Sequence, residues 1–340
     1  MSSIEPISGH NDRVNLKYVL PLETPFTLNV FPTNACNFKC NFCAQSLGAK
    51  NMKMEYDYNV SENMSIETFK AIIEGSKGFD KPYKLLSFMG HGEPLLNRKL
   101  PQMVKLAKES NIAQRIEIIT NGSLLTANMS DQLIEAGITN VRISLEGLSS
   151  SKYKEVSKID INFDLFLKNL EYFHKKGKDK GSRLFVKVLD CTLEENEEDK
   201  FYKLFDSICT RMYIEKVKPV YDNVEFTKNI EDLTTDRYGN IHKPRIVCPL
   251  AFFSLAVWPN GDIAPCDAIY KPIVLGNVLS DKLSDIFNSP KANEFRLKLL
   301  NGEKNIMYGC HKCCAPDDVS HEKDVLDDYK EELLVKYKGK

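Results

Sequence analysis

Between Phe26 and Tyr221 the chain switches its hydrophobic period at regular intervals, and that switching limits the folds open to it. Short β-like runs alternate with stretches whose apolar residues recur at helical spacing. Strands are predicted at Phe26–Pro32, Lys84–Gly90, Arg115–Gly122, Asn140–Gly147, Leu184–Cys191 and Met212–Val220. Helices are predicted between them: one N-capped by Ser65, one from Lys99, one closed by Gly137, one around residues 164–177 and one around residues 198–208. Strands separated by helices pair in parallel through crossover connections. Six such units fall short of a closed eight-fold barrel, so the expected fold is α/β, a partial (β/α)6 barrel.

The pattern changes after Tyr221. A polar, aperiodic stretch reads as a linker or long surface loop. A hairpin follows, in which Asn260-Gly261 separates two β-like runs. Next come one long helix over residues 281–300, a cysteine-rich loop and a charged amphipathic helix at the end. The expected divisions are an N-terminal extension (1–25), the barrel (26–225), a linker (226–247), a small hairpin-plus-helix domain (248–320) and a terminal helix (321–340).

Forty-six Lys and Arg against 47 Asp and Glu leave a net charge of −1, which offers no field for nucleic acid. No apolar run reaches the roughly 18 residues that span a bilayer, and the first twenty residues lack the layout of a secretory signal. The expectation is a cytoplasmic protein with neither a nucleic-acid nor a membrane partner. Ten cysteines in a reducing compartment then point to metal or cluster ligation before disulfides.

Cys36, Cys40 and Cys43 form C-x3-C-x2-C on the loop after the first predicted strand. Three thiolates there can bind three irons of a four-iron cluster and leave the fourth iron open. A closed zinc site would want a fourth ligand, and the loop has no histidine. The second group is Cys248, Cys266, Cys310, Cys313 and Cys314. Cys191 and Cys209 stand alone; for either, a small buried hydrophobe is the plain alternative.

The triad, with Phe42 directly before its last cysteine, resembles the radical S-adenosylmethionine superfamily. That resemblance implies an open iron chelated by S-adenosylmethionine and a 5′-deoxyadenosyl radical formed after one-electron reduction, the electron coming from a donor such as flavodoxin or ferredoxin. It also implies roles for other residues. Gly90-His91-Gly92-Glu93-Pro94 matches the superfamily's GGEP position, with His91 in place of a glycine, so Gly90, Gly92 and Glu93 are expected at the methionyl ammonium. Ser144 and Glu146 are expected at the ribose and carboxylate, although Asp is common where Glu146 stands. Asn121, in Thr120-Asn121-Gly122, is either a ligand contact or a turn cap.

Cys248, Gly261 with four residues to Cys266, and Cys310-x2-Cys313 resemble the Twitch domain, a shortened relative of the SPASM domain. Four cysteines would fully ligate an auxiliary four-iron cluster; structural zinc is the alternative. Cys314 is a spare that could exchange with Cys313. The further cysteines of a full SPASM domain are missing.

Three enzyme readings follow from the resemblance. The first is oxidation of a small, sugar-like substrate, with the auxiliary cluster taking an electron. The second is epimerisation of a sugar or peptide, with Cys191 returning a hydrogen atom. The third is peptide maturation, against which stands the short stretch before the first strand. A non-catalytic metal-binding scaffold would have little use for a three-cysteine open site beside GHGEP.

Overall fold

The apolar runs of the sequence become strands because both of their faces are covered. A computed structural model describes residues 2–6, 13–230, 233–318 and 321–339. Parts of the expected extension, linker, small domain and terminal segment, namely residues 1, 7–12, 231–232, 319–320 and 340, lie outside the described residues. The strands are β1 (Ser3–Ile4), β2 (Thr27–Val30), β3 (Leu85–Phe88), β4 (Ile116–Thr120), β5 (Asn140–Leu145), β6 (Arg183–Leu189), β7 (Arg211–Glu215), β8 (Ser254–Val257), β9 (Asp262–Ala264) and β10 (Gly276–Asn277). Among the described residues they make one sheet, ordered β1-β7-β6-β5-β4-β3-β2-β8-β9-β10. Strands β2 to β7 are neighbours in space as in sequence, each parallel to the next. This is the expected partial barrel, and it is not closed.

Leu28, Val30, Leu86, Phe88, Ile118, Val141, Ile143 and Val186 are wholly buried along these strands, as befits a parallel sheet with helices packed on it. Side-chain caps start the helices. Ser65 Oγ accepts from Thr68 N at 2.9 Å, and Asn162 Oδ1 accepts from Leu165 N at 3.0 Å, each satisfying a donor that the first helical turn leaves free.

The C-terminal hairpin is part of the same sheet. β8 pairs in parallel with β2, Thr27 opposite Ser254 and Val30 opposite Val257, and then antiparallel with β9. The strand that carries the first cysteine loop is therefore flanked by the strand that follows Cys248. The expected Asn260-Gly261 turn is present, with Trp258 N donating to Asp262 O at 3.0 Å.

Three expectations are corrected. The helix over 281–300 is two helices, Leu283–Phe287 and Pro290–Leu300, because Pro290 has no N–H to continue the ladder and Ser289 caps a fresh start. Buried Arg296 spans the break, donating to Ala251 O (2.8 Å), Asn288 Oδ1 (3.1 Å) and Asn293 Oδ1 (2.9 Å). The terminal segment is helical only over Lys330–Lys338, after two short 3-10 turns. The sixth predicted strand stops at Glu215, since β6 ends its pairing there, Leu189 opposite Glu215, and Pro219 follows. A helix over Gly48–Tyr56 follows the first cysteine loop and had no clear signal in the sequence. No described helix is long and apolar enough to cross a membrane.

Candidate active site

The cysteine loop leaves the C-terminal end of β2, the edge where parallel sheets bind ligands, and is tied down from three sides. Lys39 N and Asn41 N donate to Ser157 O and Val156 O, each at 3.0 Å, at the end of the helix Ser150–Ser157. Asn37 donates from Nδ2 to Ser123 Oγ at 2.9 Å, and its Oδ1 accepts from Asn121 Nδ2 at 3.0 Å. Gly92 closes the third side. A Cβ there would lie 2.5 Å from both Ala35 O and Thr33 O, so only glycine lets the GHGEP turn pass this close to the loop. Gly90, at φ +138°, packs against Phe31 in a conformation that side chains rarely adopt.

The loop gathers its three thiols. Burial pushes the Cys36 thiol up to about 12, and Glu93, Cys43 and Glu146 add to the rise. Burial raises Cys40 and Cys43 as well, and the Cys43 and Cys36 thiols add to the rise at Cys40. Without positive charge they stay protonated. A cationic iron centre is the partner that would return them to thiolates. Glu146, at the end of β5, lies against the Cys40 thiol; burial raises its carboxyl to about 7, and its Oε2 is buried with no hydrogen-bond partner. An orphaned acceptor beside the loop fits a bound ligand that donates from a hydroxyl.

Glu93 is committed inside the protein. Its carboxylate accepts from Leu95 N (2.9 Å), Thr120 Oγ1 (2.6 Å) and Asn121 N (2.8 Å). It staples the ends of β3 and β4 together beneath the cysteine loop and keeps one of about four acceptor positions. Glu93→Gln puts an N–H2 where a backbone N–H already points. The expected cost is roughly 1.5–3 kcal/mol of stability, seen as a lower urea midpoint. An unchanged midpoint would contradict this role.

A cavity of about 350 Å³ lies at the C-terminal edge of the sheet. Phe42, Cys43, Gly90 and Ser144 line one part of it, and Asp267, Cys313 and Cys314 another. Its floor is charged. Arg142 pairs with Glu117 at 3.1 Å, and Lys187 with Glu215 at 2.8 Å. Arg237 reaches Glu215 at 3.8 Å and donates from Nε to Asp318 Oδ1 at 2.8 Å. Burial opposes the Glu215 carboxylate, but Lys187 and Arg237 outweigh it and hold the group below the usual range. Alternate residues of one strand face the same side, which brings Arg142 with Ser144, and Lys187 with Leu189, into the cavity. Sequence reasoning missed this floor. Its signal was the charge at alternate positions of otherwise apolar strands.

Cys248, Cys266, Cys310 and Cys313 border a second cavity together with Leu250 and Lys304. Burial raises all four thiols, Cys310 to about 12. Cys313 borders both cavities, whereas Cys314 borders only the first of these two. Among the described residues no group of three or more His, Cys, Asp or Glu is arranged to hold a single metal ion. Cys209 is core, its thiol donating to Phe205 O at 3.2 Å. Cys191 sits half-buried in the turn Asp190–Thr192, its N–H held by Asp190 Oδ1 at 2.9 Å, and it does not line the larger cavity. Gly92, Glu93, Asn121 and Glu146 do not line it either.

Comparison with known proteins fits this geometry. The family model of the Radical SAM superfamily matches residues 30–205, and that of SPASM, an iron-sulfur cluster-binding domain, matches residues 248–314. Fe-coproporphyrin III synthase of Methanosarcina barkeri is 30% identical over 156 residues, 45% of this chain and 35% of the relative. GTP 3′,8-cyclase of Chlorobaculum tepidum is 33% identical over 129 residues, 38% of this chain and 35% of the relative. The chain thus spans about a third of the length of these two curated relatives. Streptococcus suis SuiB bound to the precursor peptide SuiA matches with a TM-score of 0.63 at 18% identity, over 88% of this chain and 73% of that one. BtrN in complex with AdoMet and 2-DOIA matches with a TM-score of 0.54 at 18% identity, over 85% and 92%. At these identities the two structures speak for the fold.

Proposed function

The chain belongs to the radical S-adenosylmethionine superfamily, and from that premise we propose that it oxidises a small, polar, sugar-like substrate with the help of an auxiliary cluster. Membership brings a four-iron cluster and S-adenosylmethionine, and the SPASM match brings an auxiliary iron–sulfur cluster. In this reading Cys36, Cys40 and Cys43 hold the first, and Cys248, Cys266, Cys310 and Cys313 the second. When bound, these groups supply a 5′-deoxyadenosyl radical that takes a hydrogen atom from the substrate, and an acceptor for the electron the substrate radical then gives up.

One observation carries the proposal. A single cavity touches Cys43 of the first set and Cys313 of the second, so a substrate held there faces both. Phe42, Gly90 and Ser144 line the first end and are assigned to S-adenosylmethionine. The charged floor of Arg142, Lys187, Glu215 and Arg237 suits hydroxyl, amino or carboxylate groups more than an apolar chain. Oxidation also releases a proton. Among the carboxylates lining the cavity, Lys187 holds Glu215 and Arg237 holds Asp318, which leaves Asp267 as its acceptor.

The test is an anaerobic assay of the reconstituted enzyme, with a reduced flavodoxin or ferredoxin, against cyclitols, amino sugars and short peptides. One S-adenosylmethionine consumed per two-electron-oxidised product, with no solvent deuterium at the reacting carbon, is expected. Cys191→Ala should leave product formation intact, because that thiol does not line the cavity. One deuterium incorporated from heavy water, with inverted product lost in Cys191→Ala, would instead establish epimerisation.

A further inference from the structure

Five Lys and Arg side chains line the cavity that touches both cysteine sets, and four of them face a carboxylate. Arg142 meets Glu117 at 3.1 Å, Lys187 meets Glu215 at 2.8 Å, Lys216 meets Asp190 at 3.3 Å and Arg237 meets Asp318 at 2.8 Å. Lys218 is the fifth. It is 7% exposed, and no carboxylate pairs with it among the described residues. Its ammonium donates to the backbone oxygen of Thr235 and, at 3.2 Å, to the hydroxyl of the same residue. An ammonium has three donors, so one is left over. The backbone on either side is fixed: Val217 N donates to Asp190 Oδ1 and Val220 N to the Lys218 carbonyl, each at 2.9 Å.

A second donor of the same lining is unused. Arg142 gives Nη2 to Glu117, but its Nε is buried with no hydrogen-bond partner. A buried charge without a counter-charge is costly, and so is a buried donor without an acceptor. A neutral polyol would satisfy Arg142 Nε and leave the charge of Lys218 unmatched. A ligand that brings an anion answers both. S-adenosylmethionine carries a carboxylate too, but Lys218 follows β7, the barrel strand farthest in the sheet order from β2, whose loop holds the first cysteine set.

We propose that the substrate carries an anionic group, a carboxylate or a phosphate, and that Lys218 receives it, with Arg142 Nε as a further donor to the same molecule. The inference rests on the reading of this cavity as the substrate site. It narrows that reading from polar, sugar-like molecules at large to sugar acids or sugar phosphates, and makes Lys218 a residue of specificity.

The experiment is isothermal titration calorimetry on anaerobically reconstituted holoenzyme saturated with S-adenosylmethionine. Glucuronate and glucose 6-phosphate are the anionic probes and glucose the neutral one. Wild type, Lys218→Met and Lys218→Gln are compared, and iron is counted in each. At least one anion should bind wild type about tenfold more tightly than glucose, and the tighter of the two tells carboxylate from phosphate. Lys218→Met keeps an unbranched stem without the charge, and it should lose that tenfold while glucose and S-adenosylmethionine bind as before. Lys218→Gln, which can still donate to Thr235, should show the same loss and decides alone if the Met variant does not fold. Glucose bound as tightly as both anions, no binding of either anion, or anion affinity unchanged in the variants would overturn the proposal. So would weaker binding of S-adenosylmethionine in the variants, since Lys218 would then serve that carboxylate. Lys218-dependent anion binding together with inverted product would keep this proposal and remove oxidation. A neutral cyclitol oxidised at equal rates by wild type and Lys218→Gln would keep oxidation and overturn this proposal.

Discussion

Replacing Cys36, Cys40 and Cys43 together with Ala is expected to abolish reductive cleavage of S-adenosylmethionine and to lower iron from about eight to about four atoms per chain. The loop holding them is braced by Ser157 O, Val156 O, Ala35 O and the Asn37–Asn121 pair. None of these contacts uses a thiol, so the loop should keep its place while losing its ligands. The Cys248 group borders a separate cavity and should retain its iron. 5′-Deoxyadenosine measured after anaerobic reduction, together with iron and sulfide counts, checks both halves. Cleavage that survives in the triple variant would contradict the assignment of this loop.

The converse variant, Cys248→Ala with Cys266→Ala, should also leave about four irons, but these remain with the first loop. 5′-Deoxyadenosine should still form, because Phe42, Cys43, Gly90 and Ser144 are untouched. Two-electron-oxidised product should fall below detection, since the substrate radical has lost its electron acceptor. Cys266 sits just after β9 and is itself buried, so the substitution leaves an apolar gap without placing a polar group in the core. Deoxyadenosine and product are read in the same assay, which separates loss of the acceptor from general unfolding. Oxidised product at the wild-type rate would contradict the role given to the auxiliary site.

What the sequence displayed most clearly was local. The change of period along the chain marked the six parallel strands, and Ser65 and Asn260-Gly261 marked a helix start and a turn, because each acts through its immediate neighbours. Pro290 was equally local, and its break in the helix could have been read from the missing N–H. The pairing of β8 with β2 was not legible, since parallel partners more than two hundred residues apart carry no spacing signal. The site divides in the same way. Spacing brought out the cysteines and GHGEP. The charged floor and the unpaired Lys218 depend on which strand faces which and where distant segments meet. Glu93 shows a further limit: its motif was visible, but not that Thr120 and Asn121 occupy most of its carboxylate.

The most direct test of the two-site account needs no substrate. Two proteins are prepared anaerobically, one carrying only the cluster of the Cys36 loop and one only that of the Cys248 group, and both are reduced and titrated with S-adenosylmethionine. The account predicts that the electron paramagnetic resonance spectrum of the first changes on binding, because three cysteines leave an iron open, while that of the second, with four, does not. A spectrum that shifts in the second protein, or in neither, would contradict it.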